Sequence, residues 1–170
     1  MSEVIGAWTR IENQLRNEAP AAYRTLRAGA TEAELADAEG ELGVALPEGL
    51  RELWSLHDGI HPYEAGSEEP NEGLFLDGEG LLSVAQALLV HDILNRPDGW
   101  LPQWIPFTAD DPEDPFCGLF LDAATGLVGS WNRQDVSEPA DDPGHTLARH
   151  LDAIADALEQ GTDEAGWNGA

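Results

Sequence analysis

The chain has no lysine, and its 8 basic residues, all arginine, face 33 acidic ones for a formal net charge of −25. A field of that sign repels phosphate backbones and anionic lipid, so direct nucleic-acid binding and membrane-surface binding are disfavoured. The same field speeds encounter with basic proteins, by roughly 10 to 10³-fold at low salt. Its distribution is uneven: residues 1–57 carry 10 acids and 5 arginines (net −5), residues 58–170 carry 23 acids and 3 arginines (net −20). There is a single cysteine, Cys117, which excludes an intrachain disulfide and a cysteine-rich metal framework. Long apolar runs are also missing. Residues 1–16 lack a basic stretch followed by an apolar one, and the longest later run, Ala87–Val90, is far too short to span a bilayer. A cytoplasmic protein is the simplest expectation. No Walker loop, Gly-x-Gly-x-x-Gly fingerprint or Gly-x-Ser-x-Gly elbow occurs, so nucleotide binding and serine hydrolysis lack a warrant.

What is present is enough apolar residue, 42%, for one substantial core in 170 residues. Val4, Trp8, Ile11 and Leu15 recur at helical spacing, with Tyr23 and Leu26 on a short continuation after Pro20. Thr31 and Glu34 form a capping box, Leu35, Ala38 and Leu42 make the stripe of the helix it opens, and Gly43 is suited to a left-handed C-terminal cap. Pro47 suits the first turn of the next helix, whose apolar face reads Leu50, Leu53, Trp54, His57 and whose stop is Asp58-Gly59. His61–Gly73 has the composition of an exposed loop. Leu74–Leu76 and Leu81–Ser83 are short strand candidates, Val84–Asn95 a helix, and Arg96–Gly99 a turn. Trp104–Thr108 reads as one strand, and Cys117–Leu121 with Leu127–Asn132 as a hairpin around Ala123–Gly126. Leu147, Leu151, Ile154 and Leu158 mark a last helix that Gly161 ends. The pattern predicts helices and a sheet core in one domain over residues 1–161, followed by a flexible tail, 162–170.

Glu39, Leu46-Pro47, Leu53-Trp54 and Asp58-Gly59 stand in the order found at the start of an SMI1/KNR4 domain, the founding branch of the SUKH superfamily, which the chain resembles. Trp104-Ile105-Pro106-Phe107, Phe116 through Asp122, Thr125-Gly126, Gly129 and Trp131 resemble its central strands and turn, and Thr146–Leu158 its closing helix, so the likeness covers roughly residues 8–161. It implies an α+β binding domain, with a mainly antiparallel central sheet flanked by N-terminal helices and a C-terminal helix, in a family that includes bacterial immunity proteins against protein toxins and eukaryotic interaction modules. The chain departs from the pattern where an Asp-Gly-Gly-like turn is usual: here the turn reads Asp110-Asp111-Pro112-Glu113-Asp114-Pro115, with a different shape and potential.

Candidate chemistry is sparse. His57 and His61 have the i, i+4 spacing of a zinc pair, but Gly59 and Pro62 interrupt the helix and no third ligand follows. His91-Asp92 matches the dipeptide of HD phosphohydrolases without their other ligands, and Cys117 has no identifiable base. Asp110, Asp111, Glu113 and Asp114 are hard oxygen donors without the order or glycine of an EF-hand loop. They read as a solvated loop or as an acidic patch for a protein partner. Asp58 reads as a turn cap and as a partner contact. Trp8, Trp54 and Trp104 belong to the core, whereas Trp100 and Trp131, beside turns, are candidate exposed anchors. The candidate partner-binding set is therefore Asp58, Asp110, Asp111, Glu113, Asp114, Trp131 and Asp135. The leading expectation is a non-catalytic, cofactor-free domain, most simply an immunity protein that blocks a basic toxin by direct binding. The rivals are a regulatory scaffold with an endogenous partner and a metal-assisted hydrolase using His57 and His61.

Overall fold

Helix starts in this chain are written by short polar side chains, and the computed structural model, which describes residues 2–61, 73–95, 100–134, 137 and 142–161, shows most of them in use. Ser2 accepts from the Ile5 amide (3.1 Å) and opens α1, Glu3–Glu18. A short α2, Pro20–Arg24, follows. Thr31 and Glu34 complete the capping box of α3, Glu32–Leu42, which Gly43 closes at φ +75°. Glu39 then sets the entry to α4, Glu48–Leu56: one carboxylate oxygen accepts from the Leu46 amide (2.8 Å), the other from Arg51 (2.7 Å). Pro47 is the cap of α4 rather than a member of its first turn.

The helix stops one residue before His57, which is extended (φ −145°, ψ 120°) and so leaves the apolar face expected of it. The cause lies in the backbone: Asp58 N–H donates to Ala28 O (3.0 Å) and Arg27 N–H to Gly59 O (3.2 Å), drawing the chain off the helix to run beside residues 25–28.

Leu74–Leu76 forms no strand. A tight turn at Asp77 (φ 58°) and Gly78 (φ +82°) instead folds Leu76 onto Glu79, the pair of positive φ angles that two-residue hairpin turns favour. It leads into β1, Gly80–Leu81, and then into α5, Val84–Leu94, opened by a second capping box between Ser83 and Gln86.

The single strand expected at Trp104–Thr108 is two strands. β2, Trp104–Pro106, pairs with β4, Cys117–Asp122, in a three-stranded sheet β2-β4-β5, where β5 is Val128–Asn132; β3, Thr108–Ala109, pairs with β1 in a two-stranded sheet. All described pairings are antiparallel. The ladder breaks at Thr108. There the Leu119 amide is received by the Thr108 hydroxyl (3.0 Å), and the Thr108 carbonyl turns to accept the Trp131 indole N–H (3.1 Å). Gly118 makes this approach feasible, since a Cβ there would lie 2.0 Å from Thr108 O. The hairpin turn follows the expectation, with Asp122 and Thr125 side chains accepting local amides and Gly126 at φ +75°.

Thr146 caps the last helix, α6, Leu147–Gln160, and Gly161 ends it. Leu151, Ile154 and Ala155 pack it on α1, its most extensive helix partner. Arg10 of α1 reaches across to Asp152 (3.2 Å), Asp156 and Glu159 (2.7 Å). Bonding to Arg10 draws the Glu159 carboxyl below its usual range. One continuous core, with Trp8, Trp54, Trp131, Phe107 and Phe120 as its largest fully buried members, joins helices to both sheets, so the fold is α+β. Asp135, residues 62–72 and 96–99, and the tail from 162 lie outside the described residues.

Candidate partner-binding surface

Of the carboxylates singled out above, two are consumed by the fold. Asp58 is half-buried, and its Oδ1 accepts from the Val84 amide (2.8 Å), a cap on α5 delivered from 26 residues upstream. Asp110 turns inward, and one oxygen accepts from both the Phe116 (3.0 Å) and Cys117 (3.1 Å) amides, closing the loop between β3 and β4. That loop is well tethered: Glu113 N–H donates to Asp111 (3.0 Å), Pro112 is buried, and its carbonyl accepts from the Gln86 side chain of α5 (3.1 Å). Arg133 holds its far end, donating to Pro115 O (3.1 Å). What this scaffold presents to solvent is Asp111, Glu113, Asp114 and Phe116, the last 40% exposed.

Trp131 is not an anchor. It is 1% exposed, opposite Gly118 in the β4-β5 register, and its indole is spent on Thr108. Trp100 is also buried, edge-on to Trp104 and Phe120. Among the described residues the exposed aromatic is Phe116, which the family resemblance put among the central strands. Its neighbour Pro115 and the run of acids before it were the available signal.

His57 and His91 are engaged by the fold. His57 places Nδ1 2.7 Å from Arg27 O and Nε2 beside Glu12, whose carboxylate also accepts from Trp8 (3.0 Å), so its ring is engaged with α1. His91 is buried with Nε2 on Pro102 O (2.9 Å), while Asp92 is exposed. A pair that sequence reading passed over is His145 and His150, 3.2 Å apart; burial, then the neighbouring His145, pull His150 down to about 4. Among the described residues, no group of three or more His, Cys, Asp or Glu side chains is placed to hold a metal ion. Burial, then Asp110 and Glu79, push the Cys117 thiol up, the opposite of what a nucleophile needs. Burial likewise pushes up the Glu79 carboxyl, against the Thr108 hydroxyl that donates to it (2.6 Å). Among the described residues, no helix is long and apolar enough to cross a membrane.

The described residues thus form an α+β domain that presents a tethered acidic loop. The SMI1/KNR4 (SUKH-1) family model matches residues 29–158, and the chain belongs to that family. The match begins after α1 and α2, although α1 packs against α4 and α6 within the same core. A search of curated proteins finds no match to the chain. SUKH domains are generally non-catalytic, bind partner proteins and include immunity-protein types.

Proposed function

We propose that this domain is an immunity protein that neutralises a toxin with a basic surface by binding it directly, in the cytoplasm where the toxin would act. The observation that carries the reading is the tethered loop: Asp111, Glu113 and Asp114 stand exposed on a backbone already held by Asp110, Gln86 and Arg133, so little ordering cost falls on association. The −20 charge of residues 58–170 supports it by favouring approach of a cationic partner. Occlusion of the toxin needs no catalytic group.

The test is co-expression with the toxin specified by an adjacent coding sequence, read as growth and as a 1:1 complex in calorimetry. Rescue with complex formation supports the proposal, and a toxin that neither binds nor is neutralised overturns it. The hydrolase alternative has its own test: zinc or a chelator should leave the melting temperature unchanged, and a stoichiometric zinc complex lost in His57→Ala/His61→Ala would reinstate it.

A further inference from the structure

α5 differs from every other long helix in what it turns outward. The exposed side of α3 carries Glu32, Glu34, Asp37 and Glu41, and that of α6 carries Asp156 and Glu159. In α5 no carboxylate or guanidinium occurs from Val84 to His91, although about one residue in five of the chain is acidic. Val84, Ala87, Val90, His91 and Leu94 face the core. The opposite side presents Ala85 and Leu89 at i, i+4, flanked by partly exposed Leu88 and Ile93, with Asp92 the one charge. Leu89 is 59% exposed, more than any other large apolar side chain described. A scattered exposed leucine needs no explanation, but Leu89 stands on a face where Ala85 and the partly exposed Leu88 and Ile93 extend the apolar surface around it.

This face is continuous with the acidic loop. Gln86, one turn before Leu89 and Val90 and two turns before Ile93, donates to Pro112 O (3.1 Å) between exposed Asp111 and Glu113. An apolar strip thus ends on a row of carboxylates. A second copy is a poor occupant, because it would bring another −25 against the same charges. The complementary surface is apolar at its centre and lined with lysine or arginine at one end.

We propose that the outward face of α5, centred on Leu89, is the apolar anchor of the interface, with Asp111, Glu113 and Asp114 as its rim, and that it takes a basic amphipathic segment of a protein partner. This rests on the reading of the domain as a binder of a basic protein. A labelled synthetic amphipathic peptide of leucine and lysine is the probe, titrated by fluorescence anisotropy and stopped flow against the full chain, Leu89→Ser, and the triple variant Asp111→Asn/Glu113→Gln/Asp114→Asn.

An anchor acts on dissociation and a rim on association. Leu89→Ser should therefore raise the dissociation rate by about tenfold or more at an unchanged melting temperature, and the triple variant should slow association and flatten its salt dependence. A serine-and-lysine peptide should bind only weakly, and its binding should not respond to Leu89→Ser. Unchanged dissociation from Leu89→Ser would overturn the proposal, as would a Leu89-dependent dimer in sedimentation, which would give the face to a second copy. The function read above fails separately. Failed toxin neutralisation alongside peptide docking on Leu89 removes the immunity role and leaves this surface standing; rescue that survives both variants does the reverse.

Discussion

Gly118→Ala and Gly40→Ala make the same chemical change with opposite expected signs. At position 118 the new Cβ would stand 2.0 Å from Thr108 O, 2.7 Å from Thr108 C and 2.9 Å from Ala109 Cα, all backbone atoms that no rotamer change can move. Relief to about 3.0 Å requires β3 and β4 to part by roughly 1 Å. Overpacking of this kind costs about 1–3 kcal/mol, and straining the buried Trp131-to-Thr108 bond adds about 1 kcal/mol. Against these stands a gain of about 0.5–1 kcal/mol from a less flexible unfolded chain. The net loss is about 1–3.5 kcal/mol, or about 2–14 °C in Tm for a domain of this size. Gly40 lies inside α3 with nothing within 4 Å of its would-be Cβ, so alanine there should gain about 0.5–1 kcal/mol and raise Tm by about 1–4 °C. Scanning calorimetry reads both. A Gly118→Ala melt within about 1 °C of the parent would refute the close approach of Thr108 and Gly118, and with it the account of how Trp131 is held.

Trp54→Ala and Leu121→Ala should each cost about 3–5 kcal/mol in chemical denaturation, since both are buried and Trp54 also donates to Leu82 O (2.9 Å). His150, held neutral in the fold and pulled down to about 4, takes up a proton more readily when unfolded. Its contribution to stability is therefore complete above about pH 6.5 and lost as pH falls towards 4, on the order of 3 kcal/mol, and the stability difference between the parent and His150→Gln should follow that window. Asp110→Ala should leave stability lower than Asp111→Ala does, because only Asp110 closes the loop on two amides; equal melting temperatures would contradict the assigned contacts.

The helices were legible because their ends are signalled locally: Thr31 with Glu34, Gly43, and Gly161 each act within a turn of where they stand. What local pattern does not carry is the cross-strand partner. Trp131 sits beside polar residues in sequence, yet its place is decided by Gly118 opposite and Thr108 beyond, 23 positions away. The division of Trp104–Thr108 has the same origin, a hydroxyl substituting for a carbonyl in the ladder. Asp58 was readable as a cap, but the helix it caps begins 26 residues later. Composition did find the exposed acids Asp111, Glu113 and Asp114, since charges packed around two prolines in one short turn are driven to solvent. Phe116 and Leu89 escaped because an apolar residue in a strand-like or helical run is read as core by default.

The pairing of α1 with α6 sets an order of events during synthesis. Trp8, Ile11 and Leu15 of α1 leave the ribosome well before α6, the helix that packs on α1 and carries the carboxylates that neutralise Arg10. At about 5–20 residues per second the wait from α1 to α6 is on the order of ten seconds. Through that interval the nascent chain holds an amphipathic helix without its main partner, so a chaperone, or any premature stop ahead of α6, acts on a species whose first helix is complete and whose core is not.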